Sequence, residues 1–283
     1  MTLYRILVDE ALAAPALIVA LDGWVDAAGA ATAAAAAIAD DGRIAVEFDA
    51  DALVDYRARR PTLEIEGGVM TAMDWPELSI RRVRAGARDL LVLAGPEPDY
   101  RWREFRGALS EIALRLGVVD TVSLGAIPAM VPHTRPTQVL MTGQGRRPLD
   151  TDPPLPAEHL QVPAAAVNLV ELYLAEHGIP SVGFWAQVPH YVGGPYHGGA
   201  LALVQRTSAH LGVLLPTDEL AELAAGERAR LDAIVAERPD VQAMLERLEQ
   251  TGGAWPVPQV PPGDDLAAEI ERFLRESTGD EPG

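Results

Sequence analysis

Two rhythms of apolar and polar positions alternate along the chain. Predominantly apolar runs occupy 16–21, 89–94, 118–126 and 181–188, bounded by Gly, Pro or charged residues. Short runs of this kind are what strands covered on both faces require. Between them, 27–39, 102–116, 164–177 and 198–211 carry apolar residues at helical spacing. Strand and helix in turn predict an α/β fold of three layers, a mostly parallel sheet with helices on both faces and right-handed crossovers. Residues 43–84 interrupt the rhythm. Short strands at 44–48, 63–66, 69–73 and 78–84, separated by Pro61, Gly67, Gly68 and Pro76, predict an excursion built from hairpins.

Beyond Pro216 the pattern becomes helical throughout. Thr217 stands where a cap belongs before a helix from Asp218, and a second helix from about residue 239 carries Val241, Met244, Leu245 and Leu248 on one side. A Pro/Gly linker at about 251–263 then precedes a last amphipathic helix with Leu266, Ile270, Phe273 and Leu274. The chain thus divides into an α/β core, 1–215, and an acidic helical extension, 216–283. The extension holds 16 acidic and 6 basic residues, which supplies −10 of the formal charge of −18. Such a segment reads as a solvated appendage packing one face on the core or on a neighbouring subunit, or as a partner-binding arm.

Composition removes several chemistries. All 23 basic residues are arginine, so a Walker-type phosphate loop and any Schiff-base mechanism are excluded for want of lysine. There is no cysteine, which excludes disulfides, thiolate metal sites and cysteine nucleophiles and suits a reducing compartment. A charge of −18 opposes binding to nucleic acid or anionic membrane, both of which demand clustered cations. The apolar stretch 11–21 follows Asp9 and Glu10 instead of a basic segment and is too short to span a bilayer. A soluble, cytoplasmic protein is expected.

Three polar segments each follow a predicted buried strand: Asp22-Gly23-Trp24-Val25-Asp26, Pro132-His133-Thr134-Arg135 and Pro189-His190-Tyr191. Ligands of open parallel sheets bind beyond the carboxyl ends of the strands, so Asp22, Trp24, Asp26, His133, Thr134, Arg135, His190 and Tyr191 form one candidate ligand or partner site. Arg135 is the leading anion-binding group, by bidentate hydrogen bonding to a carboxylate or phosphate. Each segment also has a structural explanation. Asp26 can cap the next helix while Gly23 and Gly29 allow close packing; Arg135 can pair with one of 41 carboxylates; and the glycine-rich loop 193–199 can be a helix entry. His133, His190 and His197 with Asp22 or Asp26 lack the spacing of a metal motif, and neither a G-x-G-x-x-G fingerprint nor a G-x-S-x-G elbow occurs. No cofactor is expected.

The runs Gly23-Trp24-Val25-Asp26-Ala27-Ala28-Gly29, Gly125-Ala126-Ile127-Pro128 continuing to Val131-Pro132-His133-Thr134-Arg135-Pro136, and Gly183-Phe184-Trp185-Ala186-Gln187-Val188-Pro189-His190-Tyr191 resemble hallmark segments of the proteasome assembly chaperone family, second-subunit type, in its actinobacterial branch. The resemblance covers about 16–215. It implies a phosphorylase/hydrolase-like α/β core, self-association (a trimer by analogy) and relatives that bind proteasome α-subunits without catalysing a reaction. An ATP-grasp or carboxylate-amine ligase activity, a label some bacterial members carry, conflicts with the absence of lysine. Several archaeal relatives dock through a C-terminal hydrophobic-Tyr-any tripeptide, whereas this chain ends Asp280-Glu281-Pro282-Gly283, so another docking surface is expected. A non-catalytic assembly protein is the first expectation. The alternative is a small-molecule enzyme of the nucleoside phosphorylase or hydrolase type, with Arg135 fixing an anion and His133, His190 or Asp26 as acid or base.

Overall fold

The computed structural model describes residues 2–144 and 159–250. In chain order they form β1 (Tyr4–Ile6), β2 (Ala16–Asp22), α1 (Ala30–Ala39), β3 (Arg43–Phe48), α2 (Ala50–Leu53), β4 (Thr62–Glu66), β5 (Val69–Asp74), β6 (Ser79–Ala85), β7 (Arg88–Pro96), α3 (Trp102–Arg115), β8 (Asp120–Ala129), β9 (Val139–Gln144), α4 (Ala166–Glu176), β10 (Ser181–Pro189), α5 (His197–Leu211), α6 (Asp218–Glu237) and α7 (Pro239–Gln250). The expected linker and last helix lie outside the described residues.

Eight strands make one sheet in the order β1-β3-β6-β7-β2-β8-β10-β9, and β4 with β5 forms a separate hairpin. The central four, β7, β2, β8 and β10, run parallel. Around them β6, β3 and β1 on one side and β9 on the other each pair antiparallel with the neighbouring strand. The sheet is therefore mixed, which corrects the mostly parallel expectation. The reason is local: β6 passes into β7 through Gly86 and Ala87 alone, with Gly86 at φ +60°, and a two-residue turn joins only antiparallel neighbours.

The continuous apolar runs are explained by burial on both faces. In β2, Leu17, Val19 and Leu21 pack with Leu53, Phe105, Leu109 and Val170 beneath α2, α3 and α4. The alternate residues Ala16, Ile18 and Ala20 pack with the alanines of α1 and with Leu203 of α5. Three layers result. Small residues set the spacing on the second face. A Cβ on Gly199 of α5 would lie 3.1 Å from that of Ala30, so glycine lets α5 seat against α1. Helices α6 and α7 pack on this body, with Leu220 of α6 and Leu245 and Leu248 of α7 buried.

Candidate functional site

The parallel strands β2, β8 and β10 end at Asp22, Ala129 and Pro189, so the three polar segments leave from one rim of the sheet. Backbone bonds tie them together: the Ala126 N–H donates to the Val25 carbonyl at 2.7 Å, His190 to Ala129 at 3.1 Å and Tyr196 to Ala28 at 3.0 Å. Along that rim the candidate side chains separate into two groups.

The first group is Asp22, Trp24 and Asp26. Asp26 receives the Ala31 N–H at 2.7 Å and the Thr32 hydroxyl at 2.6 Å, so it caps α1 across an intervening turn in which Ala28 and Gly29 take positive φ. Burial pushes its carboxyl above the usual range, and the Thr32 and Ala31 bonds pull it partway back. Asp22 pairs with Arg59 at 2.9 Å. Trp24 is 69% exposed. Glu97, just past β7, was not singled out from the sequence, yet it joins this group to α4: Oε1 receives the Ala166 N–H at 2.6 Å and Oε2 the Trp24 N–H at 3.3 Å. Its side chain fills the space over Gly23, where a Cβ would lie 2.5 Å from Oε2.

The second group is His133, Thr134, Arg135, His190 and Tyr191, and α6 and α7 close over it. His133 is buried. Its backbone N–H donates to the Tyr191 hydroxyl at 2.8 Å, while Nδ1 and Nε2 lie 2.7 Å from that hydroxyl and 3.1 Å from Asp232 Oδ1 of α6. A neutral ring protonated at Nε2 satisfies all three contacts, with the Tyr191 hydroxyl donating to Nδ1. Burial pushes the Tyr191 hydroxyl up to about 12, against the lowering effect of the His133 N–H. Thr134 donates to Glu249 Oε1 at 2.5 Å, Arg135 donates to the Glu249 carbonyl, and Arg228 of α6 donates to the Thr134 carbonyl at 2.8 Å. The His190 ring stands edge-on to Tyr191 with centroids 5.3 Å apart. Acidic residues of α6 and α7 thus act as partners for the polar loop. Glu227 repeats the pattern, accepting the His197 N–H at 2.8 Å at the start of α5.

Between this loop, α5 and α6 lies a cavity of ≈ 540 Å³ lined by His133, Arg135, Tyr196, Glu227, Arg228 and Asp232 among others. Asp22, Trp24, Asp26, Thr134, His190 and Tyr191 stand outside its lining. Among the described residues no three His, Asp or Glu side chains gather as a metal site needs, and no helix is long and apolar enough to cross a membrane. A further polar region lies under α4. Glu171 is buried there with Oε1 unpartnered, as are Ser123 Oγ, Thr121 Oγ1 and Gln187 Oε1 of β8 and β10. Burial pushes the Glu171 carboxyl up to about 7, with the adjacent Ser123 hydroxyl acting in the lowering direction. The sequence signal was available in the alternation of Thr121 and Ser123 with Val122 and Leu124 inside an apolar run.

A comparison with curated proteins returns no match. Among solved structures, a protein of unknown function from Corynebacterium glutamicum is 33% identical, covering 89% of this chain and 97% of its own, with a TM-score of 0.84. A protein of unknown function from Mycobacterium tuberculosis is 35% identical, covering 89% and 91%, also at 0.84. A proteasome-assembly chaperone homologue from the same organism is 30% identical, covering 82% and 99%, at 0.73. The family model described as PAC2 family matches residues 20–235, and the chain therefore belongs to the PAC2 family.

Proposed function

We propose that the chain is a non-catalytic, protein-binding factor of assembly-chaperone type, which self-associates, as a trimer by family analogy, and acts on proteasome subunits in the cytoplasm. One observation supports this above others. Two of the three groups an acid–base mechanism would recruit are committed to holding the molecule together: both carboxylate oxygens of Asp26 cap α1 and both ring nitrogens of His133 are engaged by Tyr191 and Asp232. The similarity to a proteasome-assembly chaperone homologue points the same way. Affinity purification from the native host tests it. Enrichment of proteasome subunits over a mock control is expected, and recovery of the chain alone overturns the proposal.

A small-molecule role is favoured by one feature, the ≈ 540 Å³ cavity whose lining includes Arg135 and Arg228 beside the buried Glu227. In that role Arg135 would fix an anion. A thermal-shift series with inorganic phosphate, nucleosides and amino acids decides it. A ligand-dependent rise in Tm that Arg135→Ala abolishes supports the role, and an unchanged Tm with every compound removes it.

A further inference from the structure

The cavity between the His133 loop, α5 and α6 holds a carboxylate that the helices satisfy by half. Glu227 of α6 lines the cavity and is 8% exposed. Its Oε2 accepts the His197 N–H at 2.8 Å and stands 3.8 Å from the His197 ring. Its Oε1 has no partner and is closed to solvent. A buried acceptor left in this state is a cost that an incoming donor recovers. The last torsion of a glutamate side chain is soft, so a small turn of the carboxyl presents Oε1 to the cavity.

The opposite charge stands at the exposed end. Arg135 and Arg228 line the cavity and are exposed, and they donate to the backbone carbonyls of Glu249 and Thr134. A carbonyl takes an N–H and cancels no charge, so each guanidinium keeps donors in reserve. Arg228 also lies 3.6 Å from Asp232, which His133 shares, leaving Arg135 as the cation with more to give. Between the two ends the wall is aliphatic, with Leu201 and Ala202 of α5 and Ala224 and Leu231 of α6. The volume of ≈ 540 Å³ suits a small ligand.

A ligand that matches these surfaces carries a cation at one place, an anion at another and an aliphatic body. Charge-assisted bonds to a carboxylate are about twice as strong as neutral ones, which favours an ammonium over a hydroxyl at Glu227. We infer that the cavity binds a free aliphatic amino acid: its ammonium donates to Glu227 Oε1, its carboxylate is received by Arg135 with help from Arg228, and its body lies on the leucine and alanine wall. L-leucine carries the two charges on neighbouring carbons and ε-aminocaproate at opposite ends, so the pair distinguishes the spacing. The inference rests on the small-molecule reading of this cavity and names its ligand class; it asks nothing of a proteasome partner. With walls supplied by the loop, α5 and α6, the bound molecule braces α6 on the core.

Isothermal titration calorimetry on the full chain tests it. One of the two zwitterions should bind, and the matching amine and the matching carboxylic acid, each lacking one charge, should bind more weakly by about tenfold or more. Glu227→Gln should weaken the zwitterion and the amine while sparing the acid, and Arg135→Ala should weaken the zwitterion and the acid while sparing the amine. The analogue series uses wild-type protein, so it decides the matter even where a variant fails to fold. Binding of neither zwitterion, binding no tighter than that of the acid, or binding indifferent to Glu227→Gln in a folded variant overturns the inference. If phosphate or a nucleoside raises Tm through Arg135 while both zwitterions fail, the small-molecule reading stands and this inference alone falls; if nothing binds, both fall.

Discussion

The rim around His133 and the hairpin of β4 and β5 are opposite solutions to the same problem of surface. At the rim, polar side chains fit for chemistry have been given partners by the chain itself: Tyr191, Asp232 and Glu249 take the donors and acceptors of 133–135. On the hairpin, apolar side chains stay largely open, Ile65 at 58% and Met70 at 73% exposure. The contrast shows that suggestive residue types are weaker guides to function than whether their bonding capacity is spent. A histidine with both nitrogens engaged is a fastener, and an uncovered methionine pair is an invitation.

Glu171 sharpens the contrast, since it is polar like the rim yet keeps one buried carboxylate oxygen, Oε1, without a partner, and it carries the largest expected effect. Burial raises its carboxyl to about 7 from an ordinary 4.5. The folded state then holds the proton more tightly than the unfolded chain does. The stability associated with the protonated form is fully present below about pH 4.5 and is lost as pH rises through 7, a swing of about 3 kcal/mol. Chemical denaturation across that window should show the decline, and Glu171→Gln should flatten it. Parallel slopes for wild type and variant would disprove the assignment.

Breaking the fastener comes next. His133→Ala leaves the Tyr191 hydroxyl and Asp232 without their shared partner and opens a hole under α6, so a loss of about 2 kcal/mol is expected. Hydrogen exchange should rise in α6 and α7 more than in β2, and protection unchanged in those helices would show that the extension is held by its apolar contacts alone. Asp26→Ala removes a helix cap and should cost about 1 kcal/mol, with Asp26→Asn retaining part of it. Denaturant midpoints measure both; an Asp26→Ala variant as stable as wild type would mean that the Thr32 and Ala31 bonds contribute nothing net.

How much of this was legible follows from where each signal resides. The four parallel strands could be read because burial on both faces removes polar residues from them. β1 and β9 could not: one is three residues long, and the other is a mixed Val-Leu-Met-Thr-Gly-Gln at the sheet edge. The cap by Asp26 was legible as an acidic residue before a run of small ones, although α1 starts later than the spacing suggested, after the turn at Ala28 and Gly29. The partners of His133 and Arg135 were not. Asp232 and Glu249 lie about a hundred residues downstream, and no periodicity in the chain records a contact across that distance. The Gly67-Gly68 turn marked the hairpin plainly, but a hairpin within a sheet and one standing free are written in the same alternation.

The smallest expected effect is the one that tests the contrast most directly. Met70→Ala removes a large apolar side chain, a change that costs ~2–5 kcal/mol where the side chain is buried. At 73% exposure the transfer has not been made in the single subunit, so unfolding of dilute protein should shift by less than about 0.5 kcal/mol. A loss of several kcal/mol in dilute protein would place Met70 inside the subunit's own core and end the distinction between a spent rim and an open arm.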